Sequence, residues 1–134
     1  MRALFLLFGA ALLFAQAPVK VLTADELKEM VDSKARFFFV DVREPKDLEE
    51  LGTLRGFVNV PLGQVAERLS EIPKDQPILP ACNRAVRASE AAAILLKNGY
   101  NVVGAVGMLE WRDKGYPLVY PRGKKIHSSA RSVN

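Results

Sequence analysis

Among its 134 residues the chain has one cysteine, Cys82, and one histidine, His127. A lone cysteine excludes an intramolecular disulfide, and with so few soft ligands there is no structural zinc site to build. Nothing repeats internally and no segment is of low complexity. No apolar run is long enough for a bilayer-spanning helix, which takes about 20 residues. The stretch Ala3 to Ala15 covers only 13. That length suits the core of a signal peptide, and the flanks agree with it. Met1-Arg2 is a short basic start, and Ala15-Gln16-Ala17 is a small-x-small cleavage site. Residues 1–17 are therefore expected to be a signal peptide or N-terminal anchor. Cleavage after Ala17 leaves Pro18 at the new terminus, and cleavage after Ala15 is the alternative. The mature protein is expected to be exported, to a bacterial periplasm, with membrane contact only through an uncleaved leader.

Acidic residues are missing from the last stretch. Residues 121–134 hold Arg122, Lys124, Lys125 and Arg131 and no Asp or Glu. The net charge of +4 comes from there and from Arg2; without those five, 14 Lys and Arg face 15 Asp and Glu. A near-neutral body offers no basic face, so nucleic acid is excluded as a partner. The tail is expected to be solvated and disordered. What remains, residues 18–120, fits a single domain, and the chain as a whole, 49% apolar, has enough apolar residues for a core.

Within that domain short apolar runs alternate with helical stretches. Val19 to Leu22 is a candidate strand. Thr23-Ala24-Asp25-Glu26 matches a capping box and predicts an amphipathic helix to about Lys34, with Leu27, Met30 and Val31 on one face. Phe37 to Val40 is too short for a helix and predicts a strand buried on both faces. Phe57 to Pro61 predicts another strand, followed by a helical segment near Gln64–Glu71. Pro77 to Ala81 is a third apolar run, in which Pro80 is expected to interrupt the strand. An Ala-rich helix runs to an Asn98-Gly99 cap. Asn101 to Val103 predicts one more strand, and Gly107 to Asp113 a short helix carrying Trp111 as core packing beneath the site. Strands alternating with helices imply an α/β fold, a short parallel sheet flanked by helices on both faces. Ligands in such folds lie beyond the carboxyl ends of the strands. Asp41, Pro61 and Cys82 fall at such ends.

Cys82 stands where a thiolate would be held ready to react. An apolar run ends at it, the loop Asn83-Arg84-Ala85-Val86-Arg87 follows, and a helix begins. Strand, tight loop and helix start aim backbone N–H groups and the positive helix end at one atom. A helix N-terminus with nearby cations, here Arg84 and Arg87, favours the nucleophilic thiolate. A buried, inert thiol is the alternative, since free cysteine is among the most buried residue types.

Five segments in order and register resemble the single-domain rhodaneses. They are Asp41-Val42-Arg43-Glu44-Pro45, Gly56-Phe57-Val58-Asn59-Val60-Pro61-Leu62, Cys82 with Arg87, the Ala-rich helix to Gly99-Tyr100, and Gly107-Met108-Leu109-Glu110-Trp111. The resemblance implies a sulfurtransferase that carries a sulfane sulfur as a persulfide on Cys82. The sulfur comes from a donor such as thiosulfate and goes to a thiol or cyanide, with no cofactor and no metal. A sulfur-carrier or sensor module serving a partner protein is the second possibility. By the same resemblance, the amides of Asn83, Arg84, Ala85, Val86 and Arg87 cradle the outer sulfur, an anion suited to a nest of N–H donors. Arg87 is expected to pair with Asp41 or Glu44 and brace the loop, with Arg43 alongside. Cysteine-dependent phosphatases place five residues between Cys and Arg; here there are four, and Ala88 stands where their arginine would be. The loop has no glycine, so Asn83 is expected to take the left-handed conformation that the turn calls for.

Overall fold

The structure, a computed structural model, describes residues 18–121; the expected leader and the basic tail beyond Pro121 lie outside the described residues. Five strands form one sheet: β1 (Val21–Leu22), β2 (Phe38–Asp41), β3 (Val58–Asn59), β4 (Ile78–Cys82) and β5 (Ala105–Gly107). Their order is β1-β5-β4-β2-β3 and every pairing is parallel. Four helices connect and flank them: α1 (Ala24–Asp32), α2 (Pro45–Leu51), α3 (Val86–Lys97) and α4 (Met108–Asp113).

Local sequence chemistry sets most of these elements. At α1 the capping box forms as expected: Thr23 Oγ1 accepts the Glu26 N–H at 3.1 Å and the Glu26 carboxylate accepts the Thr23 N–H at 3.2 Å. The helix ends at Asp32, two residues short of expectation, and Val31 stays exposed while Leu27 is buried. Helix α2 is absent from the sequence-based expectations. Pro45 occupies its first turn, where a missing N–H costs nothing, and Gly52 ends it with φ +75°. Between β3 and β4 the expected helix is instead two 3-10 turns, Leu62–Gln64 and Leu69–Glu71. Leu62, Val65, Leu69 and Ile72 face the core at spacings of three and four, which short 3-10 turns satisfy as well as a helix does.

The last strand lies further along than expected. Val102 makes only an isolated bridge to Ile78, and the ladder forms at Ala105–Gly107. Gly104 explains the offset: a Cβ there would sit 2.8 Å from the Lys20 carbonyl, so β1 closes on this chain only past a glycine. Pro80 does not interrupt β4. Ile78 exchanges backbone bonds with Asn101 and Val103, and successive residues alternate sides, so the missing Pro80 N–H falls toward β5. There the pairing lapses between Ile78–Val102 and Ala81–Val106, and no ladder bond is lost.

Side chains alternate across the sheet. Val40, Ile78 and Cys82 pack with Ala88, Ala91 and Leu95 on one face; Phe39, Leu79, Ala81 and Val106 pack with Leu27, Met108 and Trp111 on the other. Helices thus cover both faces, as the sequence implied. Trp111 is 1% exposed, meets Tyr116 edge-on at 5.0 Å and donates Nε1–H to the Pro117 carbonyl. It belongs to the face opposite Cys82, so it packs behind the sheet rather than under the cysteine.

Candidate active site

Cys82 ends β4, the strand held between β2 and β5, which makes its backbone one of the best-anchored positions in the fold. Four residues later the chain is helical: α3 starts at Val86, and the N–H of Ala88 in its first turn donates to Cys82 Sγ at 3.3 Å. An N–H aimed at sulfur from a 12-residue helix is the contact expected of a site that holds negative charge there. The cysteine itself is only 2% exposed. Arg84 and Val86 stand out from the loop into solvent, Val86 at 67% exposure.

The tight turn is made by Ala85, not Asn83. Ala85 has φ +67° and ψ −5°, the left-handed conformation, and is buried. Its carbonyl then accepts both the N–H and the hydroxyl of Ser89 at 2.8 Å. Asn83 is committed elsewhere: its side-chain oxygen accepts from Arg43 Nη1 and its peptide oxygen from the Leu109 N–H, each at 3.1 Å. Val86, β-branched and poorly suited to a left-handed turn, is already the first helical residue of α3.

Bracing of the loop also differs from expectation. Arg87 reaches neither Asp41 nor Glu44; its Nη1 lies 3.6 Å from Asp47 Oδ2 on α2, and both side chains are about a third exposed. Such a pair contributes little. Glu44 is exposed and caps α2 without a side-chain bond. Arg43 is the brace. Both it and Asp41 are fully buried. Arg43 Nε donates to Asp41 Oδ1 at 2.9 Å and Nη2 to Oδ2 at 2.6 Å. Nη2 also meets the Gly52 carbonyl at 2.9 Å, which leaves Nη1 for Asn83. Thr53 Oγ1 donates to Asp41 Oδ2 at 2.7 Å, and Asn59 Nδ2 ties the Asp41 and Arg43 carbonyls at 2.9 Å each. Among the described residues no buried side-chain polar atom lacks a partner. A buried ion pair is tolerable only when saturated in this way. The network joins β2, the exit of α2, β3 and the cysteine loop.

Sequence reasoning placed Asp41 and Arg43 near the site but missed Thr53, Asn59 and the Arg43–Asn83 link. A signal for the pair was present: Asp41 and Arg43 lie two apart at a strand end, hence on one side. A polar Asn59 inside Val58-Asn59-Val60 was a second signal. The far side of the loop is closed by Gly107, where a Cβ would stand 2.8 Å from the Asn83 carbonyl and 3.1 Å from Arg84 Cα. A cleft of about 230 Å³ runs along that side, lined by Val21, Leu22, Leu109 and Glu110 as well as the loop. A larger apolar cleft of about 310 Å³ lies at the opposite end of β2, against Phe37, Phe38 and Leu54, remote from the thiol.

The arrangement offers one sulfur, met by the Ala88 backbone N–H at a helix start, with the buried cation Arg43 neutralised by Asp41. Comparison with known proteins agrees with it. The model of the rhodanese-like domain matches residues 23–114. The chain is 37% identical over 109 residues to the uncharacterized protein YqhL of Bacillus subtilis, covering 78% of this chain and 82% of that protein. It is 28% identical over 107 residues to a sulfurtransferase of Allochromatium vinosum, covering 78% of this chain and 99% of that one. The crystal structure of a rhodanese-related protein from Thermoplasma volcanium superposes with a TM-score of 0.66 at 27% identity, over 75% of this chain and 97% of that one. Fold, loop and relatives together make the chain a member of the rhodanese-like domain family.

Proposed function

We propose that the chain is a sulfurtransferase that carries a sulfane sulfur on Cys82. The thiolate attacks the outer sulfur of a donor such as thiosulfate. A Cys82–S bond forms, the donor's S–S bond breaks, and sulfite leaves with the electron pair. The persulfide anion is then attacked at its outer sulfur by a thiol or cyanide, and the Cys82 thiolate is regenerated. No base is needed when the nucleophile enters as an anion. The observation that carries the reading is the Ala88 N–H on Cys82 Sγ at the mouth of α3. Exposed Arg84 supplies a cation for an anionic donor, so Arg84→Ala and raised ionic strength both raise the KM for thiosulfate.

A second reading is a low-turnover carrier that loads Cys82 and passes the sulfur to a partner protein. The near-complete burial of the thiol and the left-handed Ala85 favour it. Incubation with thiosulfate followed by intact mass decides. Gain of one sulfur atom, lost in Cys82→Ser and rapidly discharged by cyanide, supports the enzyme. Stable loading supports the carrier, and no gain from any sulfane donor sinks both. The leader-like residues 1–17 support a site of action in the periplasm; the mass of protein recovered from that compartment tests this and locates the cleavage.

A further inference from the structure

Asn83, the first residue after the cysteine, is gripped at both ends. Its side-chain oxygen is bound by Arg43 Nη1 and its peptide oxygen by the Leu109 N–H. Arg43 is a fixed post, because Asp41 holds its Nε and Nη2 and the Gly52 carbonyl shares Nη2. In a trans peptide the C=O and the following N–H point in opposite directions. With the Asn83 carbonyl turned to Leu109, the Arg84 N–H points away from α4. That is the side on which Cys82 packs with Ala88 and Ala91. Gly107 lies close against the same peptide, where a Cβ would stand 2.8 Å from the Asn83 carbonyl oxygen.

We propose that Asn83 is a positioning residue: the Arg43–Asn83 bond sets the peptide plane that presents the Arg84 N–H to the outer sulfur of the Cys82 persulfide. The inference rests on Cys82 being the sulfur-carrying group. It differs from a purely structural role in one respect. Without the Asn83 side chain Arg43 keeps Asp41 and Gly52, so the buried charge stays paired; the freed Nη1 lowers the melting temperature, but by far less than breaking the pair would. What is lost is the orientation of one donor.

The test compares Asn83→Leu, which keeps the branched shape and removes the acceptor, with Asn83→Asp, which keeps the acceptor. In the full chain, sulfur uptake from thiosulfate is followed by intact mass in single turnover, and steady-state kcat and KM are measured alongside the melting temperature. A donor displaced by a fraction of an ångström slows uptake and kcat on the order of 10- to 100-fold in Asn83→Leu. The KM for thiosulfate changes less than about threefold, and Asn83→Asp recovers to within about threefold of wild type. Uptake at the wild-type rate in Asn83→Leu overturns the inference, and so does an Asn83→Asp variant as slow as Asn83→Leu. Should Asn83→Leu not fold, Asn83→Ala is read against Asn83→Asp by the same criteria. A wild-type chain that takes up no sulfur overturns the sulfurtransferase reading itself, an outcome distinct from either.

Discussion

Replacing Gly107 by alanine separates the fold from the site. Gly107 has φ −101°, so alanine is conformationally welcome and only space is at issue. The new Cβ would lie 2.8 Å from the Asn83 carbonyl oxygen, 3.1 Å from Arg84 Cα and 3.3 Å from Ala85 N, all backbone atoms of the cysteine loop. Ordinary contact begins at 3.4 Å, so the loop must yield by about 0.6 Å. None of the three contacts is a flexible side chain that could swing clear. Overpacking of this kind costs about 1–3 kcal/mol. For a domain of this size that lowers Tm by about 4–8 °C per kcal/mol. The displaced loop loses sulfur uptake on the order of 100-fold, the effect of a misplacement approaching an ångström. Gly104→Ala is the matched control. Its Cβ meets the Lys20 carbonyl at the same 2.8 Å, but at the β1 edge, away from the loop. Thermal melts and single-turnover loading of both variants give the comparison. Similar Tm losses with uptake impaired only in Gly107→Ala support the geometry; wild-type uptake in Gly107→Ala refutes it.

Arg43→Met strands the Asp41 carboxylate among buried neighbours and destabilises by about 3–5 kcal/mol in urea titration. The double variant Asp41→Leu/Arg43→Met loses less than the single one, and a larger loss in the double contradicts the buried-pair account. Ala85→Gly relieves the left-handed alanine and raises stability by up to about 1 kcal/mol, net of the freer unfolded chain. A lower urea midpoint in that variant argues against strain at Ala85. Asp25 bonds Lys114 Nζ at 2.6 Å and the Tyr116 hydroxyl at 2.5 Å, tying α1 to the end of α4. Lys114 first, then Tyr116, holds its carboxyl below the ordinary 3.8. The stability it contributes is therefore complete above that value and fades as pH falls below it. Melting curves of wild type and Asp25→Asn should differ at neutral pH and converge in acid, and a gap that widens in acid reverses the assignment.

The sequence alone determined whatever depends on neighbours in the chain. The capping box at Thr23, the apolar runs that became β2 and β4, the Asn98-Gly99 stop and the placement of Cys82 between a strand and a helix are all local chemistry. With the alternation of elements they were enough for a parallel α/β sheet and for the cysteine at its rim. Helix α2 was hidden by its brevity and charged composition, with only Leu48 buried to mark a face. Tertiary structure decided which cation braces the loop. The sequence pointed to Arg87, and the choice falls to Arg43 because Asp41, the adjacent Gly52 and Thr53, and Asn83 converge on one buried point from three parts of the chain. It also decided which residue turns left-handed. Asparagine has the better intrinsic preference, but two long-range bonds occupy Asn83, and the strain passes to Ala85. Propensity acts residue by residue, whereas saturating a buried charge is a condition on all of them at once.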